Sequence, residues 1–462
     1  MKTAPELHAE YEAIVCGLEG LDSAGQLIAA RAMARSSALY HGEVVNFAYL
    51  PKLYPPAVIE QFRSLSALLY GILAKVIARY KTDPSYRALF GFDERLEDLI
   101  VQDCGYASPI PIMRADIFYQ EDSGAFKFCE LNTDGASAMN EDRELCSAIA
   151  LTPAFLAMRD QGYELRPFEL FDSWVTEFLN VFQDWAGRRG LPASAPAIAI
   201  VDFTEDATTA EQEEFARRFR ARGARCEVID IRALRWDGLR LTNPRGEAID
   251  AIYRRAVTTD IMARYEEVPD FLAAVRAGAV CLVGGFQTQI AHAKIIFEVL
   301  RRAETRAFLT PVEQDFISEH VPATWRLEHD AIDLDRILAS KDSWIIKPLD
   351  LYAARGVVAG RGVDQKTWER TIREKIDTGY IIQEYVAQYR ASNIRNAYSL
   401  PVGGQPQLLR EPQLELFQDL TGLYLYNGAL AGVYARTGQE ALIFGHAGGL
   451  TAASFTAKPP EK

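Results

Sequence analysis

This chain lacks the cysteine patterns of a disulfide framework or a zinc site. Its six cysteines, at 16, 104, 129, 146, 226 and 281, form no Cys-x-x-Cys pair, so they read as the reduced thiols of a cytoplasmic protein. No apolar run approaches the roughly 20 residues that span a bilayer, and the N-terminal MKTAPELHAEYEAI has no signal-peptide core. Surplus positive charge is also missing: 50 Lys and Arg against 63 Asp and Glu leave a net charge of −13. That balance argues against nucleic acid or an anionic membrane as the main partner. The six histidines are dispersed without metal-ligand spacing, and there is no internal repeat or low-complexity tract. Cys16 has no paired histidine to activate it, so a thiol hydrolase is unsupported.

Residues 110 to 135, IPIMRADIFYQEDSGAFKFCELNTDG, are the most informative. Two β-prone runs flank Asp122-Ser123-Gly124, a three-residue loop ending in the residue that accepts a left-handed turn. That loop places Asp116 opposite Glu130 and Arg114 opposite Asn132. Alternation then puts these four side chains on one face and Ile117, Cys129 and Leu131 on the other, toward a core. Two carboxylates and an amide oxygen are the hard ligands that Mg²⁺ takes when it also binds substrate phosphates, and an arginine beside them suits a phosphate or carboxylate oxygen. The plain alternative is the exposed polar face of an ordinary hairpin.

A second stretch, SWIIKPLDLYAARGVVAGRGVDQKTWERTIREKIDTGYIIQEYV, reads as a strand ending at Lys347-Pro348, a loop with Arg355, a strand near Gly356 to Ala359, a helix over 364–376 and a strand over 380–386. Lys347 at a strand end reaches phosphate oxygens. Gln383, Glu384 and Val386 offer backbone groups to an adenine edge and a carboxylate to ribose hydroxyls.

Together these segments resemble ATP-grasp enzymes, and within them the glutathionylspermidine synthetase-like branch. ELNTDG is similar to the Glu-x-Asn-Thr motif that holds Mg²⁺, and KP…RGV…IIQEYV to the lid lysine and adenine hinge. Here the metal motif precedes the lid, the circularly permuted order of that branch. TGLYLYNGALAGVYARTGQEALI, with a hairpin turn at Asn427-Gly428, is similar to a segment whose arginine faces the transferring phosphoryl group; Arg436 takes that role by resemblance. AVCLVGGFQTQIAHAKIIFEVL reads as strand, Gly-Gly turn and helix, with Lys294 in the helix as a phosphate- or adenine-facing lysine; the plain reading is a solvated helix face. The amidase domain of bifunctional members has no counterpart here, and no motif matches glutathione- or spermidine-binding residues.

The resemblance implies an α/β (α+β) ATP-grasp fold: 1–190, a helical N-terminal region plus the metal-binding hairpin; 191–305, a Rossmann-like α/β subdomain; 306–390, the lid; and 391–462, a β-rich part completing the site. Helices are expected over 24–40 and 57–80. The arginines at 217, 218, 220, 222 and 225 read as a solvated helix face, Gly445 to Ser454 as a surface turn, and the tail TAKPPEK as disordered. The implied activity is ATP-dependent amide formation from a small-molecule or peptide carboxylate and an amine, with Asp116, Glu130 and Asn132 on Mg²⁺, Lys294 and Lys347 on the phosphates, and Arg114 and Arg436 on the transferred group. Two alternatives stay open: an ATP-grasp kinase, told apart by a stable phosphorylated product, and a non-catalytic nucleotide-binding protein. Dimers are the commonest oligomers, and a homodimer stays open too.

Overall fold

The computed structural model describes residues 2–192, 194–349, 356–443 and 448–460. Three sheets organise the chain. The largest has eight strands, in the order Phe47–Tyr54, Leu450–Lys458, Ala429–Gly438, Leu414–Tyr426, Ile112–Tyr119 and Phe126–Asn132; Arg390–Ile394 pairs with Leu414–Tyr426, and Glu164–Pro167 with Leu450–Lys458. The early hairpin is therefore an edge of a sheet whose centre comes from the last fifty residues. Leu450–Lys458 is buried along nearly its whole length, which corrects the expected surface turn over 450–454 and the expected disorder of Thr456 to Lys458. Burial decides it: alternating small and apolar side chains pack on both faces of a central strand.

The hairpin pairs Asp116 with Glu130 and Arg114 with Asn132, by a route the sequence did not suggest. Its loop is one residue longer than expected, Glu121 to Gly124, closed by Gln120 N–H donating to Ala125 O at 2.7 Å, with Gly124 left-handed at φ +73°. Ile117 consequently faces Phe128, and the register shifts before Asp116. Cys129 is the extra residue, and this bulge restores the expected pairing at the four polar positions. It also moves Cys129: Phe128 and Leu131 are buried while Cys129 and Glu130 are both half-buried, so the thiol joins the polar face instead of the core.

A parallel four-stranded sheet runs Cys281–Val283, Ala251–Arg254, Ala197–Asp202, Arg225–Asp230. The next strand made, Arg225–Asp230, lies to one side of the starting strand Ala197–Asp202 and the later two lie to the other, which opens a crevice at the carboxyl ends of Ala197–Asp202 and Ala251–Arg254. The arginine-rich helix Thr209–Ala221 turns its arginines outward, where Arg217 and Arg218 pair with Glu214, and buries Glu211.

The third sheet is antiparallel: Thr324–Arg326, Tyr380–Glu384, Trp344–Pro348, Val358–Ala359. Trp344, Ile346 and Ile382 pack with Trp368 and Ile372 of the helix Gln365–Lys375. Alternation sends Ile345, Lys347, Ile381 and Gln383 to the opposite face.

The helix Ala24 to Tyr40 ends sooner than expected, at Ala34, and Leu39–Tyr40 is extended. Pro56–Thr82 is a 27-residue helix long and apolar enough by composition to cross a membrane, although it interrupts its apolar residues with charges. Its stripe of Ile59, Phe62, Leu65, Leu69, Ile72, Leu73 and Val76 lies in the main core.

Candidate active site

Arg114 and Asp116 sit two residues apart on one strand, so their side chains rise from the same face. Arg114 donates to both Asp116 oxygens, Nε to Oδ1 at 2.6 Å and Nη2 to Oδ2 at 2.8 Å, and its Nη1 donates to Ser137 O at 2.9 Å. The neighbouring strand permits this only because it carries glycine: a Cβ on Gly422, which pairs with Asp116, would lie 2.8 Å from Arg114 Cδ and 2.9 Å from Asp116 Oδ1. Burial pushes the Asp116 carboxyl up against the opposing pull of Arg114.

Asn132 Nδ2 lies 3.2 Å from Asp116 Oδ2 and 3.3 Å from Glu130 Oε1. Burial raises the Glu130 pKa, but Lys294, Arg114 and Lys347 outweigh it and hold the carboxyl at about 2. Those three cations come from three separate elements, which makes Glu130 the electrostatic centre of the cluster. Lys347 crosses from the third sheet, its Nζ donating to Cys129 O at 3.0 Å and to Gln383 Oε1 at 2.8 Å; Gln383 Nε2 in turn donates to Thr324 Oγ1 at 2.9 Å. Lys294 is not in a helix. It falls in a break between the short helices Gln289–His292 and Ile296–Arg301, opened at Ala293, whose backbone is extended. It is 9% exposed, so the solvated helix face is excluded by burial.

Arg436 extends from the hairpin strand Ala429–Gly438; its Nε donates to Tyr434 Oη at 3.0 Å, and Arg114 and Arg436 both lie over the Tyr434 ring, at 5.4 and 5.2 Å. Glu384 keeps a half-exposed carboxylate 3.6 Å from Lys127 Nζ and within 3.3 Å of Ala323 N. The strand expected to reach Val386 stops at Glu384, leaving Val386 in the following loop. Arg355 and His446 lie outside the described residues. Burial pushes the Cys129 thiol up to about 12, which suits packing and not nucleophilic attack.

A cavity of about 380 Å³ opens on this cluster and has two electrostatic ends. Arg114, Glu130, Asn132 and Arg436 line one. Glu141 stands at that same end, accepting from Tyr434 Oη at 2.9 Å beside Arg436, and the other end reaches the crevice of the parallel sheet, with Asp202, Asp206, Asp260 and Arg255. Arg255 donates through Nη2 to Glu211 Oε1 at 2.7 Å and through Nη1 to Tyr253 Oη at 3.0 Å, and burial raises Asp202 to about 6 despite Arg255. Asp134 ties the two ends, accepting from Thr258 N–H at 2.6 Å and pairing with Arg254 at 2.6 Å. Sequence reasoning missed Arg255, Asp202 and Gly422. The first two were accessible to it, because both follow buried runs that end parallel strands, where open α/β sheets bind ligands. Gly422 depends on a strand pairing across three hundred residues and carried no local signal.

The donor set fits a hard cation. An amide nitrogen between two carboxylate oxygens is satisfied by its own N–H groups, whereas the amide oxygen in that position would need a cation between it and the carboxylates. Glu130, Asn132 and Asp116 are thus a workable oxygen set for Mg²⁺, with Asp116 engaged by Arg114 in the structure described here. No cluster of three His, Cys, Asp or Glu residues suited to a metal occurs among the described residues, so Asn132 is needed to make up the set.

No family model matches the sequence, and no curated protein matches it. The fold is similar to that of a glutathione synthetase like-effector from Globodera pallida in its apo form: TM-score 0.53 at 10% identity, covering 99% of this chain and 98% of that one. A candidate gamma-glutamylcysteine synthetase from Methylobacillus flagellatus KT aligns at TM-score 0.35 and 11% identity over 84% of this chain and 88% of that chain, too distant to carry an argument. The first likeness shows a shared α/β architecture over the full length.

Proposed function

We propose that the protein is an ATP-dependent carboxylate–amine ligase, glutathionylspermidine synthetase-like in its permuted ATP-grasp order. The observation that carries this reading is the meeting of Lys347, Lys294 and Arg114 on one ionised carboxylate, Glu130, at the mouth of a cavity that also receives Arg436. Phosphoryl transfer calls for positioning and charge neutralisation with no protein nucleophile, which is what this set supplies. Lys347 and Lys294 hold the phosphates. Gln383 fixes the Lys347 ammonium with its side chain, while Glu384 receives ribose hydroxyls and the Val386 backbone receives the adenine edge. Glu130 and Asn132, with Asp116, hold Mg²⁺, which when bound neutralises the β- and γ-phosphate oxygens. Arg114 and Arg436 steady the group in transfer.

In this reading an oxygen of the substrate carboxylate bonds to the γ-phosphorus as the bond to ADP breaks. The ammonium gives one proton to water, the amine so formed bonds to the acyl carbon, phosphate leaves with the bonding pair, and a second proton passes from nitrogen to water. The acid-rich end of the cavity, Asp202, Asp206 and Asp260, suits an amine that arrives as a cation. A screen of carboxylate and amine pairs for ADP release with Mg²⁺, followed by mass measurement, tests it. The expected product is an amide with one phosphate freed per ADP. A stable phosphorylated product without free phosphate would make the protein a kinase, and absence of nucleotide binding would end the reading.

A further inference from the structure

Behind the two lysines lies a second cavity, of about 210 Å³, which shares no lining residue with the first. Phe90, Phe92, Met262, Ile295 and Leu349 give it apolar walls. Gln289 also lines it, at 2% exposure, and its Oε1 is buried without a hydrogen-bond donor among the described residues. Leaving a buried amide oxygen unsatisfied is unfavourable by about 1–3 kcal/mol, so the group calls for a partner. The primary carboxamide carries a donor and an acceptor side by side, and it exchanges them by turning about its last torsion. Its natural complement is a flat group with the same pair of functions on one edge. The volume lies below the roughly 300–1,000 Å³ of pockets for drug-sized ligands, and the two charged residues among its described lining, Arg95 and Asp93, pair with each other at 3.3 Å.

We infer that this cavity is a binding site for a small, neutral, planar ring with an amide-type edge, of nucleobase size, held by Gln289 between aromatic and aliphatic walls. Its position gives it a consequence. Ile295 directly follows Lys294, Leu349 lies two residues beyond Lys347, and Lys294 N–H donates to Leu349 O at 3.4 Å. A ring wedged between Ile295 and Leu349 bears on the spacing of the two lysines, so occupancy alters nucleotide affinity from outside the nucleotide cleft.

The test uses the full chain with adenine and nicotinamide as probes and toluene as the ring without an amide edge, read by saturation-transfer NMR and calorimetry with and without saturating AMP-PNP and Mg²⁺. Adenine or nicotinamide is expected to bind in both conditions. Gln289→Leu weakens binding by about tenfold, the loss of one buried hydrogen bond, and Met262→Trp abolishes it by filling the space. Both variants are checked by circular dichroism, and Gln289→Leu, nearly equal in volume, serves if Met262→Trp does not fold. Displacement by AMP-PNP, equal binding by toluene, or indifference to Gln289→Leu would overturn the inference. Because these arms do not require turnover, they stand apart from the ligase reading.

Discussion

The large sheet carries two clusters of buried charge, and they differ in a way that separates architecture from function. In one, Lys52 meets Glu121 at 2.5 Å and Asp419 at 2.7 Å, all three side chains no more than 7% exposed. Neither cavity touches it. In the other, Arg114, Lys294, Lys347 and Arg436 surround Asp116 and Glu130. Among the described residues the first cluster sets one cation against two carboxylates, and neither cavity opens on it; the second sets four cations against Asp116, Glu130 and Glu141 and opens on a cavity. Burial of charge is common to both, so it marks neither. The surplus of positive charge beside open space is what an anionic substrate neutralises.

The largest expected break in this comparison is kinetic. Arg436→Met should lower ATP turnover by about 10³-fold or more, the scale of an arginine that stabilises a phosphoryl group in transfer, while the melting temperature moves less than in any Lys52 variant; stopped assays of ADP release check it. Lys52→Met should do the reverse. Stranding two buried carboxylates destabilises by about 3–5 kcal/mol, seen as a lower urea midpoint, while AMP-PNP affinity in the folded protein at low temperature stays unchanged.

Gly422→Ala sharpens the contrast, since it adds one methyl to the cluster around Asp116. Overpacking against the Arg114–Asp116 pair should lower stability by about 1–3 kcal/mol and reduce turnover at the same time, which no substitution around Lys52 does. The test furthest from both clusters concerns a buried carboxyl with no cation beside it. Asp142 lies beside Cys146 in the protein interior, and burial raises it from the ordinary carboxylate range to about 8. The folded protein therefore keeps a proton that the unfolded chain releases. This penalises folding progressively as pH rises from about 4 and levels off above about 8. Asp142→Asn should gain stability over wild type between pH 5 and pH 8, measured by parallel denaturant titrations, with the gap closing toward pH 4.

Local alternation made the hairpin legible: Asp116, Glu130, Arg114 and Asn132 needed only period two and a turn. The expected register held because a longer loop and a bulge at Cys129 offset each other, and the displaced Cys129 shows that the underlying geometry was misjudged. The third sheet was legible for the same reason, since Lys347 and Gln383 fall on one face by counting. Lys294 was placed wrongly within its segment because the helix pattern continues through Ala293, where the backbone turns extended. The role of Leu450–Lys458 as a central strand depends on pairing with Phe47–Tyr54 four hundred residues earlier, which no local pattern reports.

Calorimetric titration of the wild-type protein with AMP-PNP, with and without Mg²⁺ and repeated on Glu130→Gln, tests the central claim most directly. One-to-one binding that requires Mg²⁺ and loses that requirement in Glu130→Gln is the predicted result. Binding of equal strength with and without the metal in wild type and variant would contradict it.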